Sequence, residues 1–289
     1  MHLSVSEESY LFTYLSSVPP TRSDGRQPSA FRPLDTTSSF LPSANGSARV
    51  RTSDGSECIV AIKADVIKIG TPKADQNIEI SSSVASEFGT TGSQDEPLPS
   101  FLTTSIHSAL QNSLILERLK LTSRYSYKLY IDGVILSHSA HPLSLLSMAV
   151  YLALLDTMLP KLISNADDSG DNSAEDLPQF SDDWLDSYPL CPFNERGNYY
   201  EWSPPLILLA VIVGKNVFVD STAEEERVSQ GGVLVCWTED IISSVKTINS
   251  ISNTKQRRAL KVASIKNAVD LLSSVYVEVK TALEKASRV

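Results

Sequence analysis

The stretch PLSLLSMAVYLALLDTMLP, residues 142–160, constrains the fold more than any other part of the chain. It opens on a proline, which suits the first helical turn, and carries no charged residue before Asp156. Its apolar residues fall on every side of a helix instead of on one stripe. Such a helix has no face to offer water, so it sits in a core.

The segments around it are strands and amphipathic helices. FRPLDTTSSF alternates like a strand, and SARVRTSDGSECIVAIKADVIKI reads as a hairpin about an Asp54–Gly55 turn. NIEISSSV and YSYKLYIDGVILS are further strands. After residue 198 come LILLAVIV, NVFVD, GVLVCW and IISSVKTI. A helix is expected from Ser6 to Ser17, with Ser6 as N-cap and Tyr10, Leu11, Tyr14 and Leu15 on one face. Another carries Phe101, Ile106, Leu110 and Leu114 close to one face. A long helix from about Gln256 to Ala286 closes the chain, with an apolar stripe of Ala263, Ala268, Leu271, Leu272 and Val275. EFGTTGSQDEPLPS reads as a loop.

The class is α+β, in two halves, each with strands first and a long helix last. Each long helix is expected to cover one face of its own sheet. The expected divisions are an N-terminal helix and arm (1–21), a first domain (22–163), an acidic insertion or linker (164–198) and a second domain (199–289). GVLVCW and IISSVKTI, or the N-terminal strands, would supply edges that continue a neighbour's sheet.

Composition excludes some classes. With 42% hydrophobic and 20% charged residues over 289 positions, there is material for a real core. PPLILLAVIVG is about half the length needed to span a bilayer, so no membrane role is expected. The first residues carry acids where a signal peptide would carry bases. Cys58, Cys191 and Cys236 are far apart and odd in number, which reads as buried reduced thiols.

The net charge of −9 is concentrated. Of 34 acids, eight lie between Asp167 and Asp186 without a Lys or Arg among them, leaving 26 against 25 bases elsewhere. That segment reads as a solvent-exposed loop. A nearly neutral body is not a free-standing, high-affinity nucleic-acid binder. A local stripe remains open: Arg22, Arg26, Arg49, Arg51, Lys63, Arg124 and Lys128 cluster in the N-terminal half, interleaved with Asp24, Asp35, Asp54, Glu57 and Asp65. They are either phosphate contacts along an RNA path or ordinary solvated charge. Lys255, Arg257, Arg258, Lys261 and Lys266 form a solvated or protein-contacting face on the last helix.

The segment SHSAHPLS raises the question of chemistry. His138 and His141 are three apart, a spacing that joins two metal ligands only on a helix. Pro142 puts the helix start after both, so they lie in the loop before it. No third ligand is evident, and no G-x-S-x-G elbow accompanies Ser137, Ser139 or Ser144. A polar strand-to-helix corner, with no metal and no cofactor, is the expectation.

Taken in order, SDGRQPSAFRPLDTTSSFLPSANGSARVRTSDGSECIVAIKADV and VDSTAEEERVSQGGVLV resemble two signatures of the RNase PH family. The D-x-T-x-E-E-E run and S-H-x-H-P-x-S resemble the non-catalytic ring lineage of the eukaryotic RNA exosome. The resemblance implies an RNase PH-type fold (ribosomal protein S5 domain 2-like), with two βαβα-type halves and long helices covering mixed sheets. It implies a heterohexameric ring with other RNase PH-like subunits, RNA-binding cap subunits, a separate nuclease and single-stranded RNA in a central pore. It also implies a place in the nucleus and nucleolus, and in the cytoplasm.

Phosphorolysis needs arginines and N–H donors for a phosphate dianion, and acids to assist the leaving oxygen. Active relatives carry an Arg-Ser pair at the start of the central helix; the matching residues here are Leu143 and Ser144. They carry an arginine pair on the preceding helix, where LPSFLTTSIHSAL has none. They carry two aspartates six apart, matched here by Glu226 and Gly232, and Asp220 does not restore the pair. No catalytic residue is therefore expected. The rival is an active phosphate-dependent 3′-to-5′ exoribonuclease.

Overall fold

The computed structural model describes residues 3–69, 77–85, 98–111, 113, 115–122, 124–163, 178–194, 199–248 and 260–288. It opens with α1 (Val5–Ser16). The cap is Ser4, not Ser6: its hydroxyl accepts the Glu7 N–H, and the Glu7 carboxylate accepts the Ser4 N–H. The buried stripe is Leu11, Phe12 and Leu15, so Tyr10 and Tyr14 face outward, against the expectation.

A mixed five-stranded sheet follows, built from β1 (Leu34–Ser38), β2 (Gly46–Thr52), β3 (Glu57–Lys68), β4 (Ile78–Val84) and, after α2 (Leu98–Gln111) and α3 (Ile115–Arg118), β5 (Tyr125–Ser137). The order is β1-β2-β3-β5-β4, with β4 parallel to β5 and the other pairs antiparallel. Pleat alternation puts Ala48, Val50, Val60, Ile62, Leu129 and Ile131 inside. Arg49, Arg51, Lys63 and Lys128 consequently share the opposite face. The β2–β3 turn uses Gly55 at φ +86°, a conformation that suits glycine.

Helix α4 (Leu143–Asp156) starts directly after Pro142, and Leu143 and every residue from Leu145 to Leu155 is buried. Short ribbons follow: β6 (Met158–Leu159) pairs with β7 (Tyr188–Pro189), and β8 (Phe193–Asn194) with β9 (Tyr199–Tyr200). A single 3-10 turn spans Trp184–Asp186. The acidic segment is only partly described, since 164–177 and 195–198 lie outside the described residues. Its later part is no free loop. Backbone bonds tie Ile163 to Gln179, Ser181 to Lys161 and Leu190 to Thr157.

The second sheet comprises β10 (Leu206–Val213), β11 (Asn216–Val219), β12 (Gly231–Thr238) and β13 (Ile241–Ile248), with α5 (Ala223–Val228) between β11 and β12. Its order is β11-β10-β12-β13, all antiparallel. Helix α6 (Val262–Ala286) packs on it through Ala268, Leu272, Val275, Tyr276, Val279 and Leu283. Ala263 is exposed, outside that stripe. Gln256 and the basic residues Lys255, Arg257 and Arg258 lie outside the described residues.

A further expectation is overturned. Helix α4 does not serve one sheet: it lies against β2 and β3 on one side and β10 on the other. Because β11 is short, β10 has bare backbone N–H groups before Ala210. Ser147 Oγ takes the Ile207 N–H at 2.8 Å, and Ser144 Oγ takes the Leu209 N–H at 2.9 Å. One continuous core joins both sheets, α2, α4 and α6. The three cysteines are buried and unpaired in it. Among the described residues no helix is long and apolar enough to cross a membrane.

Candidate functional site

The N-terminal arm crosses to the corner where β11 gives way to α5. Asp220 forms that corner at φ +49°, and three arginines of the arm converge on it. Arg32 Nη2 and Nε donate to its carboxylate at 2.6 and 2.9 Å, and the Arg32 backbone N–H donates at 2.7 Å. Arg26 Nη1 donates to the same carboxylate at 2.8 Å, and its Nε to Asp24 at 2.6 Å. Arg22 and Arg26 both donate to the Asp220 carbonyl at 2.9 Å.

Deeper in, Arg22 forms a two-pronged pair with Glu225, at 2.7 and 2.9 Å. The two side chains are 0% and 2% exposed. Glu225 also completes a capping box with Thr222 at the start of α5. Burial therefore takes Arg22 out of any solvent-facing stripe, which corrects the sequence reading.

Asp54, from the β2–β3 turn, accepts directly from the Arg32 Nη1. Burial raises its proton affinity. Hydrogen bonds from Ser139, Thr52 and the Ser56 N–H, with the Arg32 charge, outweigh that and hold the carboxyl below the usual range.

Glu226 is the next residue inward. Its two oxygens accept the His141 backbone N–H at 2.9 and 3.0 Å, and Oε1 accepts the Ser221 hydroxyl at 2.9 Å. Burial is the main cause that pushes its carboxyl up to about 7, with Glu225 adding to it. The family resemblance matches Glu226 to a catalytic aspartate of active relatives. In the structure it is a strut between α5 and the loop before α4. Gly232 lies within β12, opposite Ile248. Leu143 is fully buried in the core, and the Ser144 hydroxyl is held by β10.

The loop histidines are placed as the helix start requires. His138 Nδ1 sits 3.1 Å from the Ala140 carbonyl, and His141 packs edge-on to Phe101. Burial, with His138 nearby, lowers the His141 pKa to about 4. Among the described residues no group of three or more His, Cys, Asp or Glu gathers as a metal site. Between these parts lies a cavity of ≈ 40 Å³ walled by Arg32, His138, His141, Ser144, Asp220 and Ser221. That is on the order of one or two water molecules.

The other basic candidates lie elsewhere. Arg49 pairs with Glu57 at 2.7 Å, and Lys128 pairs with Glu79 at 2.8 Å beside the Tyr130 ring. Arg51 and Lys63 are exposed on the outer face of the first sheet, and Arg124 is exposed just before β5.

The 3′ exoribonuclease family, domain 1, of RNase PH type, matches residues 30–160. Exosome complex component RRP42 of Saccharomyces cerevisiae is 35% identical, over 98% of this chain and 99% of its own. The chain belongs to the RNase PH family, on the branch of exosome component RRP42. Exosome complex component rrp42 of Schizosaccharomyces pombe is 32% identical over 80% of this chain and 76% of its own. A chain of the Archaeoglobus fulgidus exosome with RNA bound to the active site superposes with a TM-score of 0.68 at 17% identity, covering 96% and 97% of the two chains. The RNase PH fold thus extends over both sheets. Against this family background Arg32 is a site residue that the sequence alone does not single out. The available signal was opposite charge in three family-like segments: D-G-R and R-P-L in the arm, D-S-T after β11.

Proposed function

We propose that this chain is a non-catalytic structural subunit of an RNA exosome ring. It helps form the pore that threads RNA for 3′-to-5′ degradation and ribosomal RNA processing. The observation that carries the non-catalytic reading is the capture of Arg26 and Arg32 by Asp220. Beside the cavity, Arg22, Arg26 and Arg32 are paired with Asp24, Asp54, Asp220 and Glu225, three cations against four anions. A phosphate dianion entering there meets no free guanidinium and an excess of negative charge, the reverse of what phosphorolysis requires. Leu143 in the core and Glu226 bound as a strut add to this.

The partners in this reading are other RNase PH-like ring subunits, RNA-binding cap subunits and a separate nuclease, with single-stranded RNA passing through the pore. The locations are the nucleus, the nucleolus and the cytoplasm. Arg51, Lys63 and Arg124 are the candidates to contact RNA, since their charges reach solvent.

The test is the composition of the tagged protein purified from its own cells, followed by incubation of the pure chain with oligoadenylate and inorganic phosphate. A complex of many different chains, and no nucleoside diphosphate from the pure chain, is the expected result. Phosphate-dependent release of nucleoside diphosphates would overturn the reading in favour of an active exoribonuclease.

A further inference from the structure

A second depression lies far from that cavity, between α6, the β12–β13 turn and residues 200–203. It is an open groove of ≈ 750 Å³, within the range that holds a ligand or a peptide side chain cluster. Its walls carry four carboxylates, Glu201, Glu239, Asp240 and Glu284, against one ammonium, Lys280. Lys280 is occupied by Asp240 at 2.6 Å, and Glu284 is flanked by Lys280 and Arg288, each at 3.9 Å. Among the described residues neither Glu201 nor Glu239 has an ion-pair partner, and both are exposed.

Trp202 lines the groove and is 2% exposed, so its ring forms part of the floor. The apolar rim adds a second feature. Ile242 and Val277 stand 40% and 61% exposed beside the groove, and Val245, 44% exposed, continues the patch along β13. β13 is the outer strand of its sheet.

These features together select a ligand. The Glu201 and Glu239 carboxylates repel a nucleic-acid backbone. An exposed aliphatic rim beside an edge strand suits a polypeptide. We propose that this groove receives a basic, extended segment of a neighbouring protein subunit. A Lys or Arg of that segment meets Glu201 and Glu239, and an apolar side chain covers Ile242 and Val277. The proposal rests on the reading of this chain as a member of a multi-subunit complex.

The experiment places a photo-crosslinking benzoylphenylalanine at Val277, or at Thr281 on the same rim, and irradiates the purified native complex. The expected adduct joins the probe to a Lys- or Arg-bearing peptide of a different subunit. Its yield falls at least five-fold when Glu201→Lys and Glu239→Lys are introduced together, with subunit composition unchanged. An intact complex that gives no adduct from either position overturns this proposal alone. So does an adduct to RNA, to a second copy of this chain or to a peptide without basic residues, or a yield insensitive to the charge reversal. Recovery of the chain without partners overturns the ring reading first, and this proposal with it.

Discussion

Ser147 on α4 accepts the backbone N–H of Ile207 on β10 at 2.8 Å, with the serine 1% exposed. A helix hydroxyl here does what the next strand of the sheet would otherwise do. Replacing it with alanine leaves a strand N–H buried without a partner. Ser147→Ala is expected to destabilise the protein by about 1–3 kcal/mol in urea unfolding. An unchanged midpoint would show that water reaches Ile207. Ser144→Ala should cost less, because that serine is only half-buried.

The Arg22–Glu225 pair joins the arm to α5 in a site with almost no exposure. Glu225→Ala strands a buried guanidinium, for which about 3–5 kcal/mol of destabilisation is expected. The double variant Arg22→Met with Glu225→Leu should recover much of it, because no charge is then left buried. A cycle in which the double variant is as unstable as the sum of its parts would sink this account.

The parts legible in the sequence were those written in periodicity and local chemistry. The all-round apolarity of residues 142–160 marks a buried helix, alternation marks β1, β2 and β3, and Pro142 places both histidines before the helix. What stayed hidden depends on contacts between distant segments. Arg22 and Glu225 lie 203 residues apart, and nothing local tells a buried arginine from a solvated one. Ser147 looks like any helix serine until β11 proves too short to pair with all of β10. Glu226 was read as a decayed catalytic acid from its place in the motif. Its structural task appears only when the His141 N–H is seen to rest on it.

Gly46 shows how closely α4 is packed against the first sheet. A Cβ added there would stand 2.6 Å from the Ala153 carbonyl oxygen and 2.8 Å from the Thr157 Cα. Both are backbone atoms that cannot turn aside. Gly46→Ala is therefore expected to destabilise by at least about 1–3 kcal/mol, through forced separation of β2 from α4. Thermal melting checks it, with Gly55→Ala as a contrasting case: that site has open space and only an unfavourable φ. Equal losses at the two positions would mean that the packing argument fails.

Glu226 makes stability depend on pH. Its folded-state pKa is raised from 4.5 to about 7, chiefly by burial and secondarily by Glu225, against the pull of the His141 N–H, the Ser221 hydroxyl and Arg32. A raised folded pKa means that the native state binds more protons than the unfolded chain between those two values. Its stabilising contribution is complete below about 4.5 and is lost as pH rises through about 7. The loss is on the order of 3 kcal/mol. Glu226→Gln keeps an oxygen to accept the His141 N–H but cannot ionise. In urea unfolding from pH 5 to 8, the parent protein should lose stability more steeply than Glu226→Gln. The gap between them should close, or reverse in favour of the variant, at the alkaline end. Parallel curves over the whole range would show that the carboxylate is hydrated in solution and that burial does not control its charge.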